Sequence, residues 1–193
     1  MKQLATLLIM LSGIISNISA QTANRDFRDF AWGTSLTSIQ SGEKAEFVDK
    51  IQNDMLIYKD KLAGYDCNVS YGFNENDKMI SGNYIFNKKY TNPQLYIQDF
   101  ATFKKLLTRK YGKPTSEKMN WNKNTPLLEK HNFGQAIVDG NLNMSTVWTT
   151  GRSLIEIALT TVNHAPSMHI HYTTISLEEL QNSDELQKAL NKL

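Results

Sequence analysis

The segment NLNMSTVWTTGRSLIEIALTTVNHAPSMHIHYTTI, residues 141–175, decides the fold. Apolar and polar residues alternate in it with a period of two, the period of a strand with one buried face. Trp148 shares a face with Leu142 and Met144 in a strand over 141–149. Ile155, Ile157 and Leu159 line one face of a strand over 153–162, and Met168, Ile170 and Tyr172 line a face of a third over 168–175. The connections Thr150-Gly151-Arg152 and Asn163-His164-Ala165-Pro166 carry turn-forming residues. Connections this short are compatible with antiparallel neighbours and too short for parallel crossovers.

The same signals extend upstream. Residues 66–73 and 79–86 read as a hairpin joined through Asn74-Glu75-Asn76-Asp77-Lys78. Cys67, Val69, Tyr71 and Phe73 share one face of its first arm. Ile80, Gly82, Tyr84 and Phe86 share one face of the second, with Ser81 and Asn83 toward water. A less regular β region covers 47–58, best at 54–58, and another strand covers 116–121. The period changes to helical over 93–111, where Tyr96, Ile97, Phe100, Phe103, Leu107 and Tyr111 form one stripe. Asn92 suits the N-cap and Pro93 the first helical position. Lys104, Lys105, Arg109 and Lys110 crowd the last turns, where the helix dipole favours cations. Gly112 and Pro114 stop the helix.

Three shorter helices complete the reading. One follows Trp32-Gly33, with Thr34 or Ser35 as cap and Leu36 and Ile39 inward. One or two turns over 133–139 end at Gly140. Ser176-Leu177-Glu178-Glu179 is a capping-box pattern opening a terminal helix with an apolar edge of Leu177, Leu180, Leu186 and Leu190. The order helix, strands, helix, strands, helix specifies an α+β fold: an antiparallel meander sheet with helices packed on one face. Its two helix-plus-strands halves are compatible with a diverged internal repeat, although no residue-level self-match links them. No Gly/Ser/Pro-rich linker divides residues 21–193, so they read as a single α+β domain.

Residues 1–20 have the layout of a secretory signal peptide. Lys2 supplies the charge, 4–15 the short apolar core, and Ser16-Asn17-Ile18-Ser19-Ala20 the small polar cleavage region. The apolar run is well short of the roughly 20 residues a membrane span needs. The expectation is an exported protein, periplasmic or secreted, beginning near Gln21 and not membrane-spanning after cleavage. The whole chain carries 21 Lys+Arg against 19 Asp+Glu, and loss of Lys2 brings it closer still to neutral. Nucleic acid is a poor partner for such a balance, because phosphate binding requires clustered positive charge. Cys67 is the only cysteine, which excludes an intrachain disulfide. Its place on an apolar strand face makes it a small buried hydrophobe.

The chemical motifs are sparse. His169 and His171 stand two apart in a strand, so both rings project from the face opposite Met168, Ile170 and Tyr172. Two imidazoles on one face can share zinc or copper, but a tetrahedral site takes four ligands and only two are evident. The pair therefore reads as a solvated surface pair, with a metal-binding protein as an alternative. No Gly-x-Ser-x-Gly elbow, phosphate-cradling loop, dinucleotide fingerprint or calcium loop occurs. Glu156 falls on the polar face of its strand. Asn68-Val69-Ser70 and Asn143-Met144-Ser145 match the N-glycosylation pattern. Trp121, beside the polar stretch 122–126, is the best candidate for an exposed aromatic ring, although tryptophan usually packs. Candidate binding residues are thus Trp121, His169 and His171. No catalytic residue, metal site or cofactor is assigned.

The opening Phe27-Arg28-Asp29-Phe30-Ala31-Trp32-Gly33-Thr34-Ser35, running on to Ile39, resembles the start of uncharacterised exported bacterial α+β proteins with a Phe…Trp-Gly-x-Ser-x-x-x-Val/Ile opening. Tyr111-Gly112-Lys113-Pro114 followed by Trp121 fits that type, as does Trp148 followed by Ile155-Glu156-Ile157-Ala158-Leu159. In style the chain is also similar to small envelope modules of the β-lactamase-inhibitor and outer-membrane-assembly (BamE-type) kind. That resemblance implies a non-enzymatic module that binds another protein or an envelope component, and no functional residue carries over. The leading expectation is therefore an exported, non-catalytic binding module. The other alternative is a secreted hydrolase acting on envelope or extracellular polymers, with a cleft near Trp121.

Overall fold

The computed structural model describes residues 25–52, 55–122 and 131–175. The signal-peptide expectation, the terminal helix and most of the polar stretch after Trp121 lie outside these residues. Strands β1 (Glu46–Ile51), β2 (Met55–Leu62), β3 (Tyr65–Phe73) and β4 (Met79–Phe86) follow helix α1 (Leu36–Gly42). Then come α2 (Gln94–Tyr111), β5 (Ser116–Trp121), α3 (Phe133–Val138), β6 (Leu142–Thr149), β7 (Ser153–Val162) and β8 (Ala165–Thr174). All eight strands form one antiparallel sheet in the order β1-β2-β3-β4-β8-β7-β6-β5. Two four-stranded meanders therefore meet at their last strands, β4 and β8. The α+β class and the antiparallel meander follow directly from these pairings. No helix among the described residues is long and apolar enough to cross a membrane.

Local chemistry accounts for the element ends. Ser35 caps α1 by accepting from the Ser38 amide at 3.2 Å, and Leu36 and Ile39 are buried. Asn92 accepts from the Gln94 amide at 3.0 Å at the start of α2. Gly112 ends that helix at φ +83, a conformation open to glycine without steric cost. Asn163 and His164 both have positive φ, which matches a tight two-residue hairpin turn. The β7–β8 connection is thus shorter than the four residues expected, and Pro166 lies near the start of β8, opposite Thr161. Gln52, also at positive φ, ends β1, which resolves the irregular 47–58 region into two strands. Another expectation needs correction. Ile80 is 37% exposed, and Met79 is the fully buried neighbour. A register shift between Gly72 and Phe73 pairs Phe73 with Met79 and changes which residue faces the core.

The core collects one face of the sheet: Leu56 and Tyr58, Cys67 to Phe73 alternately, Tyr84 and Phe86, Met168 to Tyr172 alternately, Ile155, Ile157 and Leu159, and Leu142 with Trp148. Phe103 of α2 packs on Phe86 with ring centroids 4.5 Å apart, and on Tyr65 at 5.1 Å. The Trp148 indole donates to the Gly112 carbonyl at 3.0 Å, and the Thr161 hydroxyl to the Ile137 carbonyl of α3. The segment before α1 crosses the same face. Phe27 lies among Tyr71, Tyr84 and Tyr172 at 5.1–5.3 Å. A Cβ on Gly82 would come 2.2 Å from the Phe27 ring, so only glycine at that position of β4 lets the ring settle on the strand.

That segment is also tied down by polar groups. Asp26 accepts two bonds from Arg152, both at 2.7 Å, and a third from the Trp32 amide at 2.8 Å. The Trp32 indole donates to Ser153 of β7 at 2.9 Å. Arg28, itself at positive φ, bridges Glu43 at 3.0 Å and Asp60 at 2.6 Å. Residues 26–32 are thus anchored across both meanders.

Both edges of the sheet are blunted. Strand β1 is exposed throughout and broken by a register shift between Phe47 and Asp49. Strand β5 presents Glu117 and Lys118. Charges and bulges at edges oppose uncontrolled strand addition.

Candidate functional site

The pleat sends alternate residues to the second face of the sheet, and the register aligns them across strands. One row crosses its centre: Ile57, Ser70, Asn83, His171, Glu156 and Val147, from β2 through β3, β4, β8 and β7 to β6. The neighbouring row holds Lys59, Asn68, Ile85, His169, Ala158 and Ser145. Both histidines therefore lie on the two strands' seam between meanders or directly beside it, on the face expected for them.

The centre of this face is a connected polar network. The Asn83 side-chain amide donates to Ser70 Oγ at 3.3 Å. Asn83 Oδ1 lies 2.5 Å from His171 Nδ1, and His171 Nε2 meets the Thr173 hydroxyl. These bonds define one tautomer. With Asn83 Oδ1 as acceptor, Nδ1 carries the proton and Nε2 accepts from Thr173. Ser70 is 3% exposed. Burial lowers the pKa of both histidines below the ordinary value. Glu156 opposes the shift in both, while His169 adds to it in His171. The site is consequently neutral at its imidazoles near pH 7, with Glu156 as the carboxylate facing them.

The three candidate residues do not come together. His169 and His171 share the second face. Trp121 sits on the edge strand β5 opposite Leu142, a core residue, and packs against Phe133 at 5.8 Å. Its ring therefore belongs with the core side of the sheet. No protein-family model, curated protein or solved structure matches the chain. The site is read from its own geometry.

The Ser70 hydroxyl is bonded by Asn83, and both ring nitrogens of His171 are already engaged, so no serine in this network has a free imidazole base beside it. Among the described residues no group of three His, Cys, Asp or Glu side chains is placed to hold a metal ion. Cys67 is buried on the other face, and burial pushes its thiol up to about 11. A thiol so shifted is a poor nucleophile.

Sequence reasoning named the histidines and the polar faces of Asn83 and Glu156, but not the network. Alternation shows which side of a strand a residue takes. It does not show that Asn83 stands opposite His171, since the two residues are 88 apart in chain order. The half-buried cluster of Arg28, Glu43, Asp60 and the buried Tyr71 was equally invisible. Burial raises the pKa of Glu43, and the Tyr71 hydroxyl, the Ala45 amide and Arg28 more than reverse that, so its carboxyl is held below the usual range.

Proposed function

We propose that this chain is an exported, non-catalytic binding module whose protein partner sits on the second face of the sheet. In this reading the chain is cut after Ala20. The helices α1, α2 and α3 all cover the core face, and two helix-plus-four-strand halves meet at β4 and β8. The mirrored strand order supports the two halves. The contacts of Phe103, Trp148, Thr161 and Phe27 support the covered face.

The observation that carries the reading is the make-up of the second face. Its middle alternates apolar Ile57, Ile85, Val147 and Ala158 with the bonded set Ser70, Asn83, His171 and Thr173, and holds one acidic residue, Glu156, beside His171. Charges lie mostly toward the outer strands, at Asp49, Lys59, Lys61, Asp66 and Lys118. Protein interfaces have this anatomy: a charge-poor centre that excludes water and a polar rim. A near-neutral chain with hydrogen-bonding groups at the centre suits a protein better than a polyanion.

The test is site-specific photo-crosslinking in the native envelope or secreted fraction, with the crosslinking amino acid at Ile85 or Val147, or at Leu106 of α2. Adducts from Ile85 and Val147 and none from Leu106 are expected. Adducts from Leu106 alone would remove the reading. Mass spectrometry of the exported protein checks cleavage after Ala20.

A further inference from the structure

A second site lies at one end of the sheet, built by β3, α2 and the connection over 87–93. Asp99 of α2 receives two tyrosine hydroxyls, one on each carboxylate oxygen: Tyr65 donates to Oδ1 at 2.9 Å and Tyr90 to Oδ2. The two rings so held face one cation. Lys88 Nζ stands 5.3 Å from the Tyr65 ring centroid and 5.0 Å from that of Tyr90. The walls are braced from behind. The Tyr90 amide donates to the Tyr96 hydroxyl at 3.1 Å, and the two rings meet edge to face at 5.0 Å. Tyr65 packs edge-on against Phe103 and Phe86.

We propose that Tyr65, Tyr90 and Asp99 form a cage for an alkylammonium group, and that Lys88 is its internal occupant, displaced when the ligand enters. Two aromatic faces with a carboxylate behind them make the arrangement that recognises organic cations. Donation to Asp99 leaves each phenol rich in electron density, which strengthens the attraction of its ring for a cation. Hydrogen bonding to Asp99 raises the Tyr65 pKa, and burial with the same bond raises that of Tyr90, so both hydroxyls stay protonated and keep the walls in place.

Lys88 is suited to being a plug rather than a fixed strut. It is exposed, and it makes no salt bridge among the described residues. Lys88 lines two neighbouring hollows, one of about 420 Å³ with Asp60 and Cys67 and one of about 460 Å³ with His164 and Pro166. With Lys88 in place the space lined by Tyr65, Tyr90 and Asp99 is only about 10 Å³, so a ligand enters this cage by displacing the Lys88 ammonium. A quaternary ammonium sheds its hydration more readily than the Lys88 ammonium, and so competes well for the same rings. An occupant of this kind reduces apparent affinity by the fraction of time it fills the site. Two exposed cation–π contacts correspond to about a five- to thirtyfold reduction.

The shared chemistry fits a small quaternary amine or a lysine side chain of another protein, and the experiment separates them. The full chain and its Lys88→Ala and Lys88→Ala/Tyr90→Ala variants are titrated with tetramethylammonium and, separately, with a lysine-bearing peptide and its trimethyllysine counterpart. Binding is followed by NMR shifts of the tyrosine ring signals, and far-UV circular dichroism checks the fold. Lys88→Gln, which keeps most of the stem, substitutes if the alanine variant does not fold. Lys88→Ala is expected to bind at least one probe about five- to thirtyfold more tightly than the original chain, with the gain lost in the double variant. A gain with tetramethylammonium alone assigns a small amine. A gain with the peptides alone assigns a partner's lysine. No gain with any probe, or a gain that survives Tyr90→Ala, overturns the proposal. Tyr65, Tyr90 and Asp99 lie in neither row of the second face, so failure of this titration and failure of the crosslinking at Ile85 and Val147 are distinguishable.

Discussion

Replacing Gly82 by alanine adds one methyl group in the middle of the central strand β4. That carbon would lie 2.2 to 2.5 Å from three atoms of the Phe27 ring. Ordinary carbon contacts are about 3.5–4.0 Å, so the ring has to withdraw by roughly 1.3 Å or more. It has little room to do so. Phe27 is 1% exposed and held among Tyr71, Tyr84 and Tyr172. Overpacking of this kind costs about 1–3 kcal/mol, which lowers Tm by about 2–12 °C for a chain of this size. Phe27→Ala alone removes the ring and costs about 3–5 kcal/mol. With the ring gone, Gly82→Ala costs nothing, or stabilises by about 0.5–1 kcal/mol through the reduced freedom of the unfolded chain. The double-mutant cycle should therefore show a coupling of about 1–4 kcal/mol. Urea unfolding followed by tryptophan fluorescence measures all four corners, with the slope m expected to stay constant. An equal cost for Gly82→Ala with and without Phe27 would refute the idea that Phe27 is what requires glycine there.

Other outcomes follow from single interactions. Arg152→Ala leaves the buried Asp26 carboxylate with only the Trp32 amide, and should cost about 1–3 kcal/mol in urea unfolding, while Asp26→Asn/Arg152→Ala recovers part of the loss. His169 and His171 have folded pKa values below the ordinary value of about 6.5, so between those values the unfolded chain binds more protons. Their contribution to stability is therefore lost as pH falls below about 6.5, and His171→Asn should flatten the decline seen in unfolding midpoints between pH 7 and 5. Cys67, buried and with its thiol shifted upward, should react with a thiol reagent in the native state only through unfolding, so that labelling accelerates sharply in urea.

The extent of what the sequence reveals differs by element. Strand β7 is legible because Ile155, Ile157 and Leu159 alternate without interruption, and α2 because its apolar stripe, the Asn92 cap and the Gly112 stop all agree. Ile80 was misplaced because a register shift is a property of two paired strands and leaves no trace in either one. The second face was half legible. The side taken by His169 and His171 follows from alternation, whereas the bond from His171 to Asn83 depends on β4 and β8 becoming neighbours. The Tyr65–Tyr90–Asp99 cage had no signal at all, since its members come from a strand, a connection and a helix.

By itself, then, the sequence determined the α+β class, the regular strands and their faces, most core positions and the lone cysteine's burial. Those are consequences of periodicity and propensity acting within a few residues. Tertiary structure alone decided the strand order, with β4 against β8, and the requirement for glycine beneath Phe27. It also decided the polar network of the second face and the pairing of Lys88 with two tyrosines. Each of these depends on which distant segments share space, and side-chain hydrogen bonds and ring contacts form only over a few ångströms.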